Sequence, residues 1–435
     1  MHRLQCCLLV VVGAASLFAC DDEAPTPELV EPLLPISVDR NVRGIGVFPG
    51  DEAVIRSQDW AQLAEGVSHL VIRAQLVDEL LVSREGETAV PAAMFAPRVE
   101  SIRSNVSAVQ PFDKYVAVLD LYRLSDGSKS TAPQPYLTTW DRNEREIERY
   151  GFWRSDYRDA VLAQVEALMQ ADEKPAIFIF GAEVHRYLDM AGGADDFANL
   201  VSLYRDAYAS IKAVAPQVRV GVGIDWIRFR ADIVPKQRLK RSALPPELVV
   251  EGDELDCAAL PEQDRDLLEQ LCVQQAFSLY VEPFLQYLDP QQDAPIEGEL
   301  WEPRYVKTAE LLTLSAVPKQ SDFGNVPANC PEDFFAPLIE WSKRFPIAYY
   351  QVGWQMASSV SVGKHAEWYS VLVERNLGVN VELIAWAQTK DLLDNDCGKL
   401  SNDLGAPVWL CNAGLWSAST APKSVAELFF SDIQP

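Results

Sequence analysis

The sequence predicts an α/β protein, a (β/α)8 barrel with one large insertion after its fifth strand. Two observations predict it. Short apolar runs rich in β-branched and aromatic residues recur along the chain, too short for helices and patterned like strands buried on both faces. Amphipathic helical patterns separate them, and that alternation marks a parallel sheet, which eight units can close into a ring. The 435 residues can bury a large core, as one barrel with insertions or as two domains. With 48% of residues hydrophobic, the chain has no disordered composition.

The elements follow in order. Residues 1–20 read as a targeting segment: His2 and Arg3 begin it, 8–18 is apolar, and Leu17-Phe18-Ala19-Cys20 closes it. The closing tetrapeptide resembles the lipobox of bacterial lipoproteins. That resemblance implies lipidation of Cys20 and a place in the bacterial cell envelope, periplasmic or on the cell surface, with the lipid as the only membrane contact. An ordinary secretory signal with a coincidental Cys is the alternative. The apolar run is too short to cross a bilayer. Residues 21–37 open with Asp21-Asp22-Glu23 and continue with Pro25, Pro27, Pro32 and Pro35, the composition of a stiff, extended tether.

The barrel is expected over 38–432. Strand one is 42–48, with a helical pattern over 53–66; strand two is 67–76 and carries Arg73, with a helix over 92–109. Strand three, 115–121, has Asp120 near its end, and a helix over 153–170 leads to strand four, 175–180. A long helix, 195–214, precedes strand five, 218–226, which ends Asp225-Trp226. The rhythm then breaks over about 227–300. A basic knot at 236–241, an acidic stretch at 251–256 and a helical pattern at 262–288 fill this expected insertion. Strands six, seven and eight are 309–317, 347–352 and 381–387, with helices over 334–345, 365–376 and 421–430.

Charge and cysteines narrow the function. With 38 basic against 63 acidic residues the net charge is −25, which repels nucleic acid and anionic lipid. Cys6 and Cys7 leave with the signal, so Cys257, Cys272, Cys330, Cys397 and Cys411 remain for pairing in an oxidising compartment. Cys257–Cys272 and Cys397–Cys411 are the nearest pairs in sequence and would leave Cys330 odd, but the connectivity stays open. The chain has four His and no CxxC, so neither a metal site nor a cofactor is expected.

In barrels of this kind the chemistry sits at the carboxyl ends of the strands. Strand four ends Gly181-Ala182-Glu183, placing an acid just beyond it; a solvated loop Glu is the other reading. Strand seven ends Gln351-Val352-Gly353-Trp354, and the chain closes with Cys411-Asn412-Ala413-Gly414-Leu415-Trp416 and Pro422-Lys423. These motifs resemble those of the large clan of (β/α)8 glycoside hydrolases. Its members usually end strand four with Gly-Asn-Glu, the Glu being acid/base, and strand seven with Glu-Val/Ile-Gly-Trp/Tyr, the Glu being nucleophile. Together with 119–140, the motifs look nearest to the arabinogalactan endo-β-1,4-galactanases.

The resemblance implies a carbohydrate partner, Glu183 as acid/base and Gln351 at the nucleophile position. Two departures stand out: Ala182 replaces the Asn that would meet the sugar 2-hydroxyl, and Gln351 puts a neutral amide where a carboxylate should attack. A retaining pair needs two carboxyls about 5 Å apart, and losing the nucleophile costs orders of magnitude in rate. The expectation is therefore an envelope lipoprotein that binds a β-linked poly- or oligosaccharide, with hydrolysis weak or lost. The alternatives are an active hydrolase pairing Glu183 with another carboxylate, such as Asp120 or Asp225, or a non-catalytic structural protein of the envelope. Asp225 also reads as structural. Arg73 and Gln388 are expected to meet sugar hydroxyls. Trp226, Trp354, Trp386 and Trp416 fall near strand ends, as stacking platforms or as core. Trp354 and Trp386 are taken as substrate contacts, because the clan carries an aromatic at both places.

Overall fold

Eight strands close a parallel ring, and their order around it is their order along the chain. They are β1 (Arg43–Val47), β2 (His69–Gln75), β3 (Lys114–Asp120), β4 (Ile177–Phe180), β5 (Arg219–Asp225), β6 (Leu312–Ala316), β7 (Ile347–Val352) and β8 (Val381–Trp386). β1 pairs with both β2 and β8, which shuts the barrel. The computed structural model describes residues 43–47, 66–76, 95–107, 112–121, 137–140, 146–150, 152, 155–184, 193–244, 253–262, 264–288, 305–319, 321–354, 362–390, 414–416 and 423–430. All lie in one compact unit, Val38–Pro435. The expected signal with Cys20, the tether, most of the 53–66 helix, Cys397 and Cys411 lie outside the described residues, as do the side chains of Gln388 and Trp416.

Each strand divides its side chains by period two. One set fills the ring: Val71, Val116, Val118, Ile177, Ile179, Ala348, Tyr350, Leu383 and Ala385 form a single inner cluster. The other set packs outward against the helices, among them α1 (Phe95–Ser107), α2 (Ser155–Gln170), α3 (Gly193–Val214), α4 (Arg265–Tyr280), α5 (Pro337–Ser342), α6 (Val362–Arg375) and α7 (Ser424–Phe430). On β2, β3, β4, β7 and β8 both faces thus carry apolar residues, which is why those strands read as hydrophobic runs; β1, β5 and β6 pack apolar residues outward and have Gly, Thr or Ser on the alternate positions. No helix among the described residues is long and apolar enough to cross a membrane.

Two helices differ from expectation, and proline explains both. The 262–288 pattern yields α4, then a single turn Glu282–Leu285, then a short strand Gln286–Leu288 paired with Tyr305–Lys307. Pro283 has no N–H to continue the helix. The 334–345 pattern shrinks to α5 because Pro337 takes the first helical position. The basic knot becomes a strand, Arg238–Lys240, antiparallel to Glu254–Asp256, with Arg238 opposite Asp256 and Lys240 opposite Glu254. The register thus sets two of the knot's basic residues opposite acidic ones. A disulfide joins Cys257 to Cys272, tying this ribbon to α4, and Cys330 is a buried free thiol.

Candidate active site

Alternation carries polar groups to the carboxyl end of the ring. Val71 faces inward on β2, so Arg73 does too; Val116 and Val118 do the same for Asp120 on β3. There the Arg73 guanidinium acts as a hub. Its Nε donates to Asp120 Oδ2 at 2.6 Å, and its Nη1 donates to Gln351 Oε1 at 2.7 Å. The same Nη1 lies 3.7 Å from Glu183 Oε1. None of the four residues is more than 8% exposed, so these charges meet with little screening by water.

Glu183 reaches the hub through a tight turn. Gly181 has φ +66° and Glu183 φ +56°, so a non-glycine side chain occupies the left-handed region. A Cβ on Gly181 would come within 2.6 Å of Val184 Cγ1. The neighbouring strand is equally constrained. Gly223 on β5 donates its N–H to Gly181 O at 2.9 Å, and a Cβ there would lie 2.4 Å from that oxygen. Ala182 is fully buried in the inner cluster, and its methyl offers no hydrogen bond.

Gln351 arrives by a different device. Tyr349 faces outward, its hydroxyl donating to Asn376 Oδ1 at 2.7 Å, and strict alternation would send Gln351 the same way. β7 instead carries one extra residue. Leu314 pairs with Tyr349 but the next residue, Ser315, pairs with Gln351, which leaves Tyr350 as the bulge. Tyr350 turns into the ring and Gln351 is re-aimed at Arg73. Burial holds the Tyr350 phenol well above its ordinary value and so keeps it protonated, with Arg73 opposing and Glu183 adding to the effect. Its hydroxyl adjoins Ser315, yet neither side-chain oxygen meets hydrogen-bond geometry with a partner.

One nitrogen near both groups limits their separation. At 2.7 and 3.7 Å from it, the Gln351 and Glu183 oxygens are at most about 6.4 Å apart, a range that includes the roughly 5 Å of a retaining carboxyl pair. An amide that accepts from a guanidinium cannot attack an anomeric carbon as a carboxylate does. Asp120 is fully buried and held at 2.6 Å by Arg73. Asp225 is engaged elsewhere: its Oδ1 accepts from Arg228 N at 3.0 Å as the cap of the turn after β5. Among the described residues no group of three or more His, Cys, Asp or Glu is placed to hold a metal.

The tryptophans stand apart from this cluster. Trp386 follows the inward-facing Ala385, so it faces outward, and it packs fully buried against His365, Tyr369 and Phe429. Trp354 is fully buried against Trp368 and Phe323. Trp226 stacks on Phe229 and donates Nε1–H to Phe334 O at 3.3 Å. A sugar needs an open ring face, and these rings have none; they are core between barrel and helices. Sequence reading passed over Tyr350, although its two-residue spacing from Ala348 was a usable sign of an inward position.

No family model matches the chain, and no curated protein matches it in sequence. Solved structures do match the fold. GH5_18 from Streptomyces cattleya, in complex with GlcNAc, aligns with TM-score 0.52 and 12% identity over 91% of this chain and 80% of that one. A variant of it in complex with Manβ1-4GlcNAc gives 0.51 and 12% over 90% and 80%. An exo-β-1,4-mannosidase from Opitutaceae bacterium strain TAV5 gives 0.47 and 13% over 90% of this chain. The chain spans only 58% of that mannosidase's length. At such identities the likeness establishes the fold, a glycoside hydrolase-like (β/α)8 barrel.

Proposed function

We propose that this barrel binds a β-linked poly- or oligosaccharide at its carboxyl-end mouth and hydrolyses it weakly or not at all. One observation carries the reading: Gln351 Oε1 sits 2.7 Å from Arg73 Nη1, which keeps it at most about 6.4 Å from Glu183 Oε1 and supports taking the amide as standing where a carboxylate would attack. Glu183, with Arg73 as its neighbouring cation, then serves to accept from sugar hydroxyls rather than to protonate a leaving oxygen. Galactan is among the glycans to try, because of the strand-end motifs. The lipobox-like Leu17-Phe18-Ala19-Cys20 supports anchoring at the envelope; loss of lipid labelling in Cys20→Ala would test it.

The competing reading is hydrolysis by Glu183 with Asp120 as base. In its favour, both carboxylates meet the same guanidinium. Against it, Asp120 has no exposed surface from which to activate a water. Purified protein should be assayed for binding and turnover on β-galactan, β-glucan and aryl β-glycosides. The expected result is binding without turnover, the binding being lost in Glu183→Ala. Wild-type turnover that Glu183→Ala abolishes would overturn the proposal.

A further inference from the structure

Glycine at 223 leaves a slot that two parts of the site share. A Cβ built there would overlap the Gly181 carbonyl oxygen and lie 3.1 Å from both Ala182 Cα and the Tyr350 hydroxyl oxygen. The backbone that carries Glu183 and the phenol of the β7 bulge therefore converge over one missing methyl. Ala182 and Ser315, both buried, are small, and Tyr350 is the large side chain beside them. Its hydroxyl has no partner in hydrogen-bond geometry, so it acts there by its bulk.

The parties to this contact are held unequally. β5 is laced on both sides, Val222 pairing with Phe180 and Gly223 with Thr313, and Asp225 caps the turn that follows. Tyr350 is 1% exposed within the inner cluster. The Gly181–Glu183 turn lies beyond Phe180, the last residue that β4 pairs with β3 and β5. It is tied back by the Gly223 N–H on Gly181 O. A group that fills the slot thus moves the turn first, and Glu183 rides on that turn. At 3.7 Å its contact with Arg73 Nη1 is close to the limit of about 4 Å for an ion pair, so a small displacement breaks it.

We propose that Gly223 and Tyr350 are positioning residues for Glu183: the slot over β5 sets how far the left-handed turn carries that carboxylate toward Arg73, and the Tyr350 hydroxyl is the slot's far wall. The effect on glycan affinity rests on the carbohydrate-binding reading above. The effect on geometry does not, so one structural and one binding measurement separate the two.

Crystal structures, urea unfolding and calorimetric titrations with β-galactan and β-glucan oligosaccharides are compared for full-chain wild type, Gly223→Ala and Tyr350→Phe. In Gly223→Ala the turn should be displaced and the Glu183–Arg73 contact broken, with affinity falling about tenfold or more as the charged acceptor leaves its place. Tyr350→Phe deletes an oxygen that has no partner, so its urea midpoint should hold or rise while its affinity falls about threefold. A side chain that only fills the core would move stability and leave affinity alone. Glu183 still within about 4 Å of Arg73 in Gly223→Ala, or Tyr350→Phe binding as wild type does, would overturn the positioning roles. Wild type that binds neither glycan would overturn the carbohydrate reading instead, and the Glu183–Arg73 distances would still decide the geometry.

Discussion

Arg73 Nη1 donates to Gln351 Oε1 at 2.7 Å, joining β2 to β7 across 278 residues of sequence. The arginine is thus placed to steady a carboxylate at position 351, should one stand there. Gln351→Glu should accordingly create hydrolysis of an aryl β-glycoside, at least about 100-fold above wild type, equivalent to about 2.7 kcal/mol of barrier. Initial rates on a nitrophenyl glycoside series read this out. A variant no faster than wild type would mean that 351 is not the attacking position.

The same hub governs stability. Arg73→Met would take from the buried Asp120 the guanidinium that holds it at 2.6 Å, with a cost of about 3–5 kcal/mol. Arg73→Met combined with Asp120→Asn should recover much of that loss, since both charges then leave together. Urea unfolding of both single variants and the double variant closes the cycle. Strict additivity would show that the pair does not interact.

Glu183 holds its position at the expense of its backbone. A non-glycine residue at φ +56° carries strain on the order of 1 kcal/mol, and asparagine tolerates that region far better than glutamate. Glu183→Asn should raise stability by about 0.5–1 kcal/mol and weaken glycan binding more than tenfold. Glu183→Gln keeps the strain, so it should lose binding without gaining stability. If both variants bind as wild type does, Glu183 plays no part in recognition.

Much of this was legible in the sequence, for a simple reason. Strands buried on both faces announce themselves as apolar runs, and the period-two phase from Val71 to Arg73, or from Val118 to Asp120, tells which polar residue faces the ring. The same phase, continued from Ala385, turns Trp386 outward; assigning it to the sugar followed the motif instead of the alternation. Gln351 is the opposite case. Alternation from Tyr349 points it away from the ring, and only the bulge at Tyr350, set by pairing with β6 and β8, brings it back. Register shifts come from neighbouring strands, so one strand's own residues do not reveal them. The role of Gly223, whose missing Cβ lets the Gly181 carbonyl approach, is hidden for the same reason.

The inner face of β2 also predicts a pH response remote from the site. His69 begins the strand and Arg73 lies near its far end, so the two mark opposite mouths of the ring. Burial foremost, then the charge of Lys114, lowers the His69 pKa from 6.5 to about 4, while Ser68 Oγ lies 2.7 Å from its Nδ1. A base with a depressed pKa stays neutral in the fold but takes up a proton once unfolded. Its contribution is therefore complete above pH 6.5 and is lost as the pH falls toward about 4, by about 3 kcal/mol over that window. Unfolding free energies at pH 7 and pH 4.5 should differ less in His69→Gln than in wild type. Carboxylates contribute the same slope to both proteins, so the difference isolates the imidazole. Identical slopes would mean that His69 binds its proton as readily in the folded ring as in the open chain.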